Sequence, residues 1–209
     1  MSDIEIQLAK AMADVPCYAG PTPAGLTGHA VQFYRTDAFL TKAVVEFLAD
    51  GVTAGQPILV VATEAHRRAF AEGLRAKGLD PDSGFGDRRA VWLDAHETVP
   101  SFMKGSLPDR ELFMTNVVRL FEELIDKRNF LVIRWYGEMV DVLWKDGKTE
   151  AAILVEQYCN ELAARYRIAL LCGYAVENFL HDEGIAGFRS VCANHEHALP
   201  LEAIKQSIA

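Results

Sequence analysis

Apolar and polar positions along this chain fall into blocks whose spacing switches between that of a strand and that of a helix. His29-Ala30-Val31-Gln32-Phe33-Tyr34 reads as a strand, and from Thr36 a helical spacing runs through Leu40, Val44, Phe47 and Leu48 to Asp50-Gly51. Pro57 to Ala62 is a continuous apolar run, as expected for a strand covered on both faces. Thr63 suits the start of a helix from Glu64 to about Lys77, with Gly78 ending it. Ala90 to Asp94 reads as a third strand, and a long helix from Arg110 to Lys127 carries Leu112, Phe113, Val117, Leu120, Phe121 and Leu124 on its apolar face. The spacing then predicts a strand over Phe130–Arg134, helices over Glu138–Trp144 and Glu150–Tyr166 split at Asp146-Gly147-Lys148, and a fifth strand over Ile168–Cys172. A last helix is expected over Phe188–His195.

Strands that alternate with helices of ten or more residues predict an α/β fold, a three-layer sandwich with a mainly parallel sheet flanked by helices. Residues 1–27 read as an N-terminal arm or linker. Asp3 to Ala13 has a short amphipathic stripe (Ile4, Leu8, Ala9, Met12), and Pro16 to Gly28 is rich in proline and glycine. Residues 28–200 form one domain, and residues 201–209 an amphipathic tail.

Composition narrows the function. The chain has 209 residues, is 50% hydrophobic and carries a formal net charge of −8. That charge disfavours direct binding of nucleic acid or of an anionic membrane surface. No apolar run reaches the roughly 18 residues of a membrane span, and the N-terminus lacks the layout of a signal peptide. Cys17, Cys159, Cys172 and Cys192 show no paired spacing, so they read as thiols in a reducing compartment, with a cytoplasmic location expected.

Candidate chemistry gathers where the predicted strands end, the usual place for a site in an open parallel sheet. Tyr34 and Arg35 follow the first strand, Thr63, Glu64 and His66 the second, Asp94 and His96 the third, Arg134, Tyr136 and Glu138 the fourth, and Cys172 and Tyr174 the fifth. Each taken singly is also what any strand shows where it meets water. Arg134 and Glu138 read most simply as a salt bridge fixing the turn, although the arginine could also hold an anionic or carbonyl-bearing ligand.

A nucleotide site finds little support. Gly147-Lys148-Thr149 lies between two helices, Val142 stands where a phosphate loop needs its upstream glycine, and the segment Tyr34 to Lys42 contains no glycine. Cys192-Ala193-Asn194-His195-Glu196-His197 could supply zinc ligands, with Cys172 or His29 completing the set. Polar residues at a helix end beside a buried thiol are the simpler reading, and no metal or other cofactor is assigned. Cys172 as a nucleophile competes with a buried, inert thiol, and no Gly-x-Ser-x-Gly elbow supports a serine hydrolase.

Several segments together resemble one family. They are His29–Tyr34, Phe47–Gly51, Gly55–Thr63, Leu93-Asp94-Ala95, Arg134–Val140 with Leu143-Trp144, Leu154-Val155-Glu156, Leu170–Tyr174 and Cys192–His195. In order and spacing they are similar to the MEDS domain, a sensory domain of prokaryotic signalling proteins. The resemblance implies a RecA-like fold with a degenerate P-loop, sensing of small molecules such as hydrocarbon derivatives, and a link to signal transduction and transcription regulation. The family's recurrent polar positions match here at His29, Tyr34, Arg134, Glu138, Cys172, Tyr174 and His195.

The expectation is therefore a non-catalytic sensory domain. A small organic ligand would bind at the carboxyl ends of the strands through His29, Tyr34, Arg134, Tyr136, Glu138, Cys172, Tyr174 and His195, in a pocket walled also by Phe33 and Trp92. The chain leaves little length for an effector, so output is expected to pass to a signalling partner or a second copy. A protein-interaction module without a small ligand, and a zinc- or nucleotide-dependent enzyme, are the alternatives.

Overall fold

The computed structural model describes residues 6–8, 10–11, 27–81, 90–124, 132–181 and 183–199. Along the chain come β1 (Gly28–Tyr34), α1 (Asp37–Thr53), β2 (Ile58–Ala62), α2 (Glu64–Ala76), β3 (Ala90–Asp94), α3 (Ala95–Thr98) and a 3-10 turn at Val99–Phe102. A small hairpin of β4 (Met103–Lys104) and β5 (Leu107–Pro108) leads into α4 (Arg110–Leu124). The rest is β6 (Ile133–Gly137), α5 (Met139–Lys145), α6 (Thr149–Ala163), β7 (Ile168–Ala175), a 3-10 turn at Val176–Phe179, α7 (Gly184–Ala193) and β8 (His197–Ala198).

The unbroken apolar run of β2 is buried at every residue, as only a strand covered on both faces can be. Among the described residues six strands form one sheet in the order β3-β2-β6-β7-β1-β8, every pairing parallel. Side-chain alternation along the strands sorts the core into two layers. On one face Ala30, Val60, Tyr136 and Leu171 pack against α1 and α2 through Leu40, Val44, Phe47 and Phe70. On the other, Val31, Phe33, Leu59, Trp135 and Leu170 pack against α4 to α7 through Phe121, Leu143, Val155 and Phe188. The molecule is a three-layer α/β sandwich with a parallel sheet at its centre. Among the described residues, no helix is long and apolar enough to cross a membrane.

The differences from the sequence reading bear on the site. β6 begins at Ile133 and runs on to Gly137, where a strand ending at Arg134 was expected. Arg134 is thus the strand's second residue, held inside by partners that periodicity does not reveal. β7 likewise continues three residues past Cys172. α7 spans Gly184–Ala193, so His195 lies beyond the helix end. β8, two residues long, is too short to show a periodic pattern. Residues 201–209 and Cys17 lie outside the described residues, as do most of residues 1–27. Within that arm residues 6–8, 10 and 11 are helical, and Leu8 and Ala11 are buried in the core.

Candidate functional site

In the sheet order β2 and β6 are neighbours, but the chain leaves them in opposite directions, from β2 out to β3 and from β6 across to β7. The gap between their carboxyl ends is the switch point where open parallel sheets form a crevice. Here the side chain of Glu138 fills it. One carboxylate oxygen accepts the backbone N–H of Thr63, the residue that precedes α2. The other accepts from His66 Nδ1 at 2.7 Å and from the Tyr136 hydroxyl at 3.1 Å. A negative group at the N-terminal end of a helix is favoured by the peptide dipoles, and this one is supplied by the chain itself.

Electrostatics follow from that arrangement. Burial alone would raise the Glu138 pKa, but His66 and the Thr63 amide outweigh it and hold the carboxyl below its ordinary range. Burial would lower the His66 pKa, yet the hydrogen bond and charge of Glu138, backed by Asp37, raise it. His66 Nε2 faces the exposed Asp37 carboxylate at 3.4 Å, which makes this pair the solvent edge of an otherwise buried network. Burial, with Glu138 next in weight, pushes the Tyr136 hydroxyl well above its usual value, so it remains a donor.

A second carboxylate closes the neighbouring part of the rim. Asp141 accepts the Ala175 N–H at 2.9 Å, the Asn178 side-chain amide at 2.6 Å and, on its other oxygen, the Tyr34 hydroxyl at 3.3 Å. Lys145 reaches the same oxygen from one turn further along α5 at 2.7 Å. Burial first, then the charges of Asp141 and Glu138, raise the Tyr34 pKa far above its ordinary value.

Arg134 belongs to neither carboxylate. It lies at the amino end of β6, where Nε donates to Gln56 Oε1 at 2.8 Å and the guanidinium sits 4.7 Å from the centre of the Phe47 ring. The expected Arg134–Glu138 salt bridge does not form, because three residues of strand separate them along the sheet. Gly51 explains how α1 tolerates the arginine, since a Cβ there would strike its side chain.

The opposite face of the sheet carries a second buried polar cluster. His29 of β1, Cys172 of β7, Glu156 of α6 and His195 beyond α7 bring one donor atom each within 4.8 Å of one another. His29 Nε2 is 3.1 Å from Cys172 Sγ and 3.2 Å from Glu156 Oε2, and His195 Nε2 is 3.5 Å from the same oxygen. Tyr174 donates its hydroxyl to Glu156 Oε1 at 2.9 Å. Burial would raise the Glu156 pKa, but the imidazoles of His195 and His29 and the Tyr174 hydroxyl hold it at about 2. Burial drives the His195 pKa to about 4, against the pull of Glu156, so that ring is neutral near pH 7. The Cys172 thiol is pushed well up by burial and by Glu156.

The eight predicted residues are therefore divided by the sheet. Tyr34, Tyr136 and Glu138 meet at the rim, while His29, Cys172, Tyr174 and His195 meet beneath the other face. Arg134 stands apart from both sets. The expected common wall of Phe33, Tyr34, Trp92, Tyr136 and Tyr174 is likewise split, with Phe33 and Tyr174 in the core layer of α4 to α7 and the other three in the layer of α1 and α2. His29 is the second residue of β1, at its amino end, where a carboxyl-end position was expected. Cys192 and His197 do not join the cluster that His195 enters.

Sequence reasoning missed Glu156 and Asp141 as site residues. Each is a lone carboxylate on an otherwise apolar helix stretch, and that misplaced charge was the available signal. Two clefts also open on the described surface. One of about 350 Å³ is lined by Glu64, Arg67, Ala71, Arg75 and Trp92, and another of about 310 Å³ by Thr27, Arg165 and Glu196 among others. Neither takes in any of the eight residues.

Comparison with curated proteins finds no match for this chain. A family model does match, over residues 28–195, which is the whole span from the first strand to the last member of the buried cluster. The chain belongs to that family, MEDS, the methanogen/methylotroph, DcmR sensory domain.

Proposed function

We propose that this domain senses a small organic molecule at the strand-end rim and passes the signal to a partner protein or a second copy, without catalysis. The observation that carries the reading is the Glu138 carboxylate seated in the switch-point crevice and bonded to Thr63, His66 and Tyr136. In open parallel sheets this crevice receives ligands. Here the same donors are satisfied internally, with a solvent edge at His66 and Asp37. A ligand bearing a hydroxyl or carbonyl oxygen would take over donors now held by Glu138 or Asp141. Because Glu138 immediately precedes α5 and Thr63 precedes α2, that exchange would move the starts of two helices, a displacement a partner can read. Tyr34, Tyr136 and Glu138 are the binding residues in this proposal.

A thermal-shift screen of small alcohols, carbonyl compounds and halogenated hydrocarbons tests it. A ligand present at about 100 times its Kd stabilises the folded state by about 2.7 kcal/mol, which is a measurable rise in Tm. The rise should be lost in Glu138→Gln and Tyr34→Phe. No compound raising Tm, or a rise indifferent to both substitutions, would refute the rim as the sensing site.

A further inference from the structure

We propose that His29, Glu156, Cys172 and His195 form a closed four-ligand site for a divalent metal ion, zinc being the ion the donor set fits. Hydrogen bonds fix which atoms face the centre. The Asn160 amide nitrogen donates to the Asn194 carbonyl at 2.8 Å, so its oxygen turns to His29 and accepts from Nδ1 at 3.0 Å. His195 Nδ1 donates to the Val191 carbonyl at 2.7 Å. Both rings thereby carry their proton on Nδ1 when neutral and present an Nε2 lone pair inward. Metal-bound histidines are oriented in this way, by a carbonyl or carboxylate on the far nitrogen. The ligating carboxylate is held similarly, through the Tyr174 hydroxyl on Glu156 Oε1.

Without an ion the centre is poorly matched. His195 Nε2 is buried and has no hydrogen-bond partner, and the atom it faces at 3.5 Å is a carboxylate oxygen. Two acceptors confronting each other in a dry interior repel, whereas a cation between them attracts both. The spacing suits a cation. A tetrahedral zinc site with bonds of about 2.0–2.3 Å separates its donors by roughly 3.3–3.7 Å. His29 Nε2 and Glu156 Oε2 lie 3.1 to 3.5 Å from the donors they face, and all four donors lie within 4.8 Å of one another.

Charge and softness point the same way. A thiolate and a carboxylate together cancel a 2+ ion, so a fully buried site is left neutral. Thiolate and imidazole donors favour zinc over magnesium or calcium. Four protein donors leave no open position, which makes the site structural. It would tie His195, just past α7, to β1, β7 and α6, and so clamp the carboxyl end of α7 onto the sheet.

The test uses the purified full chain, loaded with zinc and dialysed, with bound metal measured by elemental mass spectrometry. About one equivalent should remain in the wild type and in Cys192→Ser, the nearby thiol outside the cluster. Cys172→Ser and His195→Gln should fall to background. Asn160→Ala keeps all four donors and should weaken retention roughly 10–100-fold. Should Cys172→Ser fail to fold, His195→Gln and the cobalt-loaded wild type decide the matter. Cobalt should give the intense visible bands of a tetrahedral ion together with a thiolate charge-transfer band. A folded wild type that retains no zinc, a cobalt spectrum without the thiolate band, or retention unchanged in both Cys172→Ser and His195→Gln would overturn the proposal.

Discussion

His66 Nδ1 and Glu138 Oε2 meet at 2.7 Å across the gap between the carboxyl ends of β2 and β6. The two groups shift each other in opposite directions, and stability should record both. The His66 pKa is raised above 6.5, so its contribution is complete below that value and fades as pH rises through the folded-state pKa. The Glu138 pKa is lowered below 4.5, so its contribution is present above that value and fades as pH falls through the folded-state pKa. The pair thus contributes most between 4.5 and 6.5. His66→Gln should cost about 1.5–3 kcal/mol in that window and clearly less at a pH above the raised folded-state pKa, where the wild-type ring is neutral. Urea unfolding of both proteins at the two pH values measures this, and a cost independent of pH would contradict the assigned charge state.

Gly173 offers a sharper probe of the same network. A Cβ at this position would run into the Tyr136 hydroxyl, the group that donates to Glu138. Gly173→Ala should therefore destabilise the protein by about 1–3 kcal/mol, through overpacking and displacement of that hydroxyl. Tyr136→Phe removes the atom that clashes, so in that background the alanine should cost less. A double-mutant cycle should return a favourable coupling of about 1 kcal/mol. Strict additivity would mean that β7 shifts away from Tyr136.

How far these features are legible in the sequence depends on what holds each residue inside. β2 declares itself because five apolar residues in a row have no solvent face to show. α1 does so because Leu40, Val44, Phe47 and Leu48 repeat at helical spacing. The layered fold follows from that alternation. Arg134 misleads because a guanidinium inside a strand looks like the strand's end, whereas partners remote in sequence, Gln56 and Phe47 among them, make its burial tolerable. Glu156 hides for the same reason, since its partners come from β1, β7 and the chain after α7. The sequence reading collects candidates at a common rim, but the pleat of each strand decides which face a residue joins. Adjacent residues such as Tyr174 and Ala175 therefore fall in different layers.

Arg134 and Gln56 form a unit whose removal is predicted to be easier whole than in part. Gln56→Leu takes an acceptor from a buried guanidinium and should cost about 2–3 kcal/mol. Arg134→Met keeps much of the volume against Phe47 and removes the buried charge, so its cost should be smaller, about 1 kcal/mol or less. The double substitution should be more stable than Gln56→Leu alone. Because Arg134 lies at the amino end of β6, Arg134→Met should also leave any ligand-induced rise in Tm intact. Loss of that response would place the arginine back at the sensing site.

Leu8 tests whether the N-terminal arm belongs to the folded unit. Its side chain is 1% exposed and packs in the core layer of α4 to α7, while Ile6, two residues earlier, is 39% exposed. A free linker would make both positions indifferent to truncation. Burial of Leu8 predicts instead that Leu8→Ala costs about 2–4 kcal/mol, from lost transfer energy and the cavity left behind. Ile6→Ala should change stability by less than about 0.5 kcal/mol. Urea titration of the two variants beside the wild type separates these outcomes. If the midpoint for Leu8→Ala falls and the slope is unchanged, the arm is part of the cooperative fold. Equal, negligible shifts for both variants would show that the arm's contact with the core contributes nothing to stability.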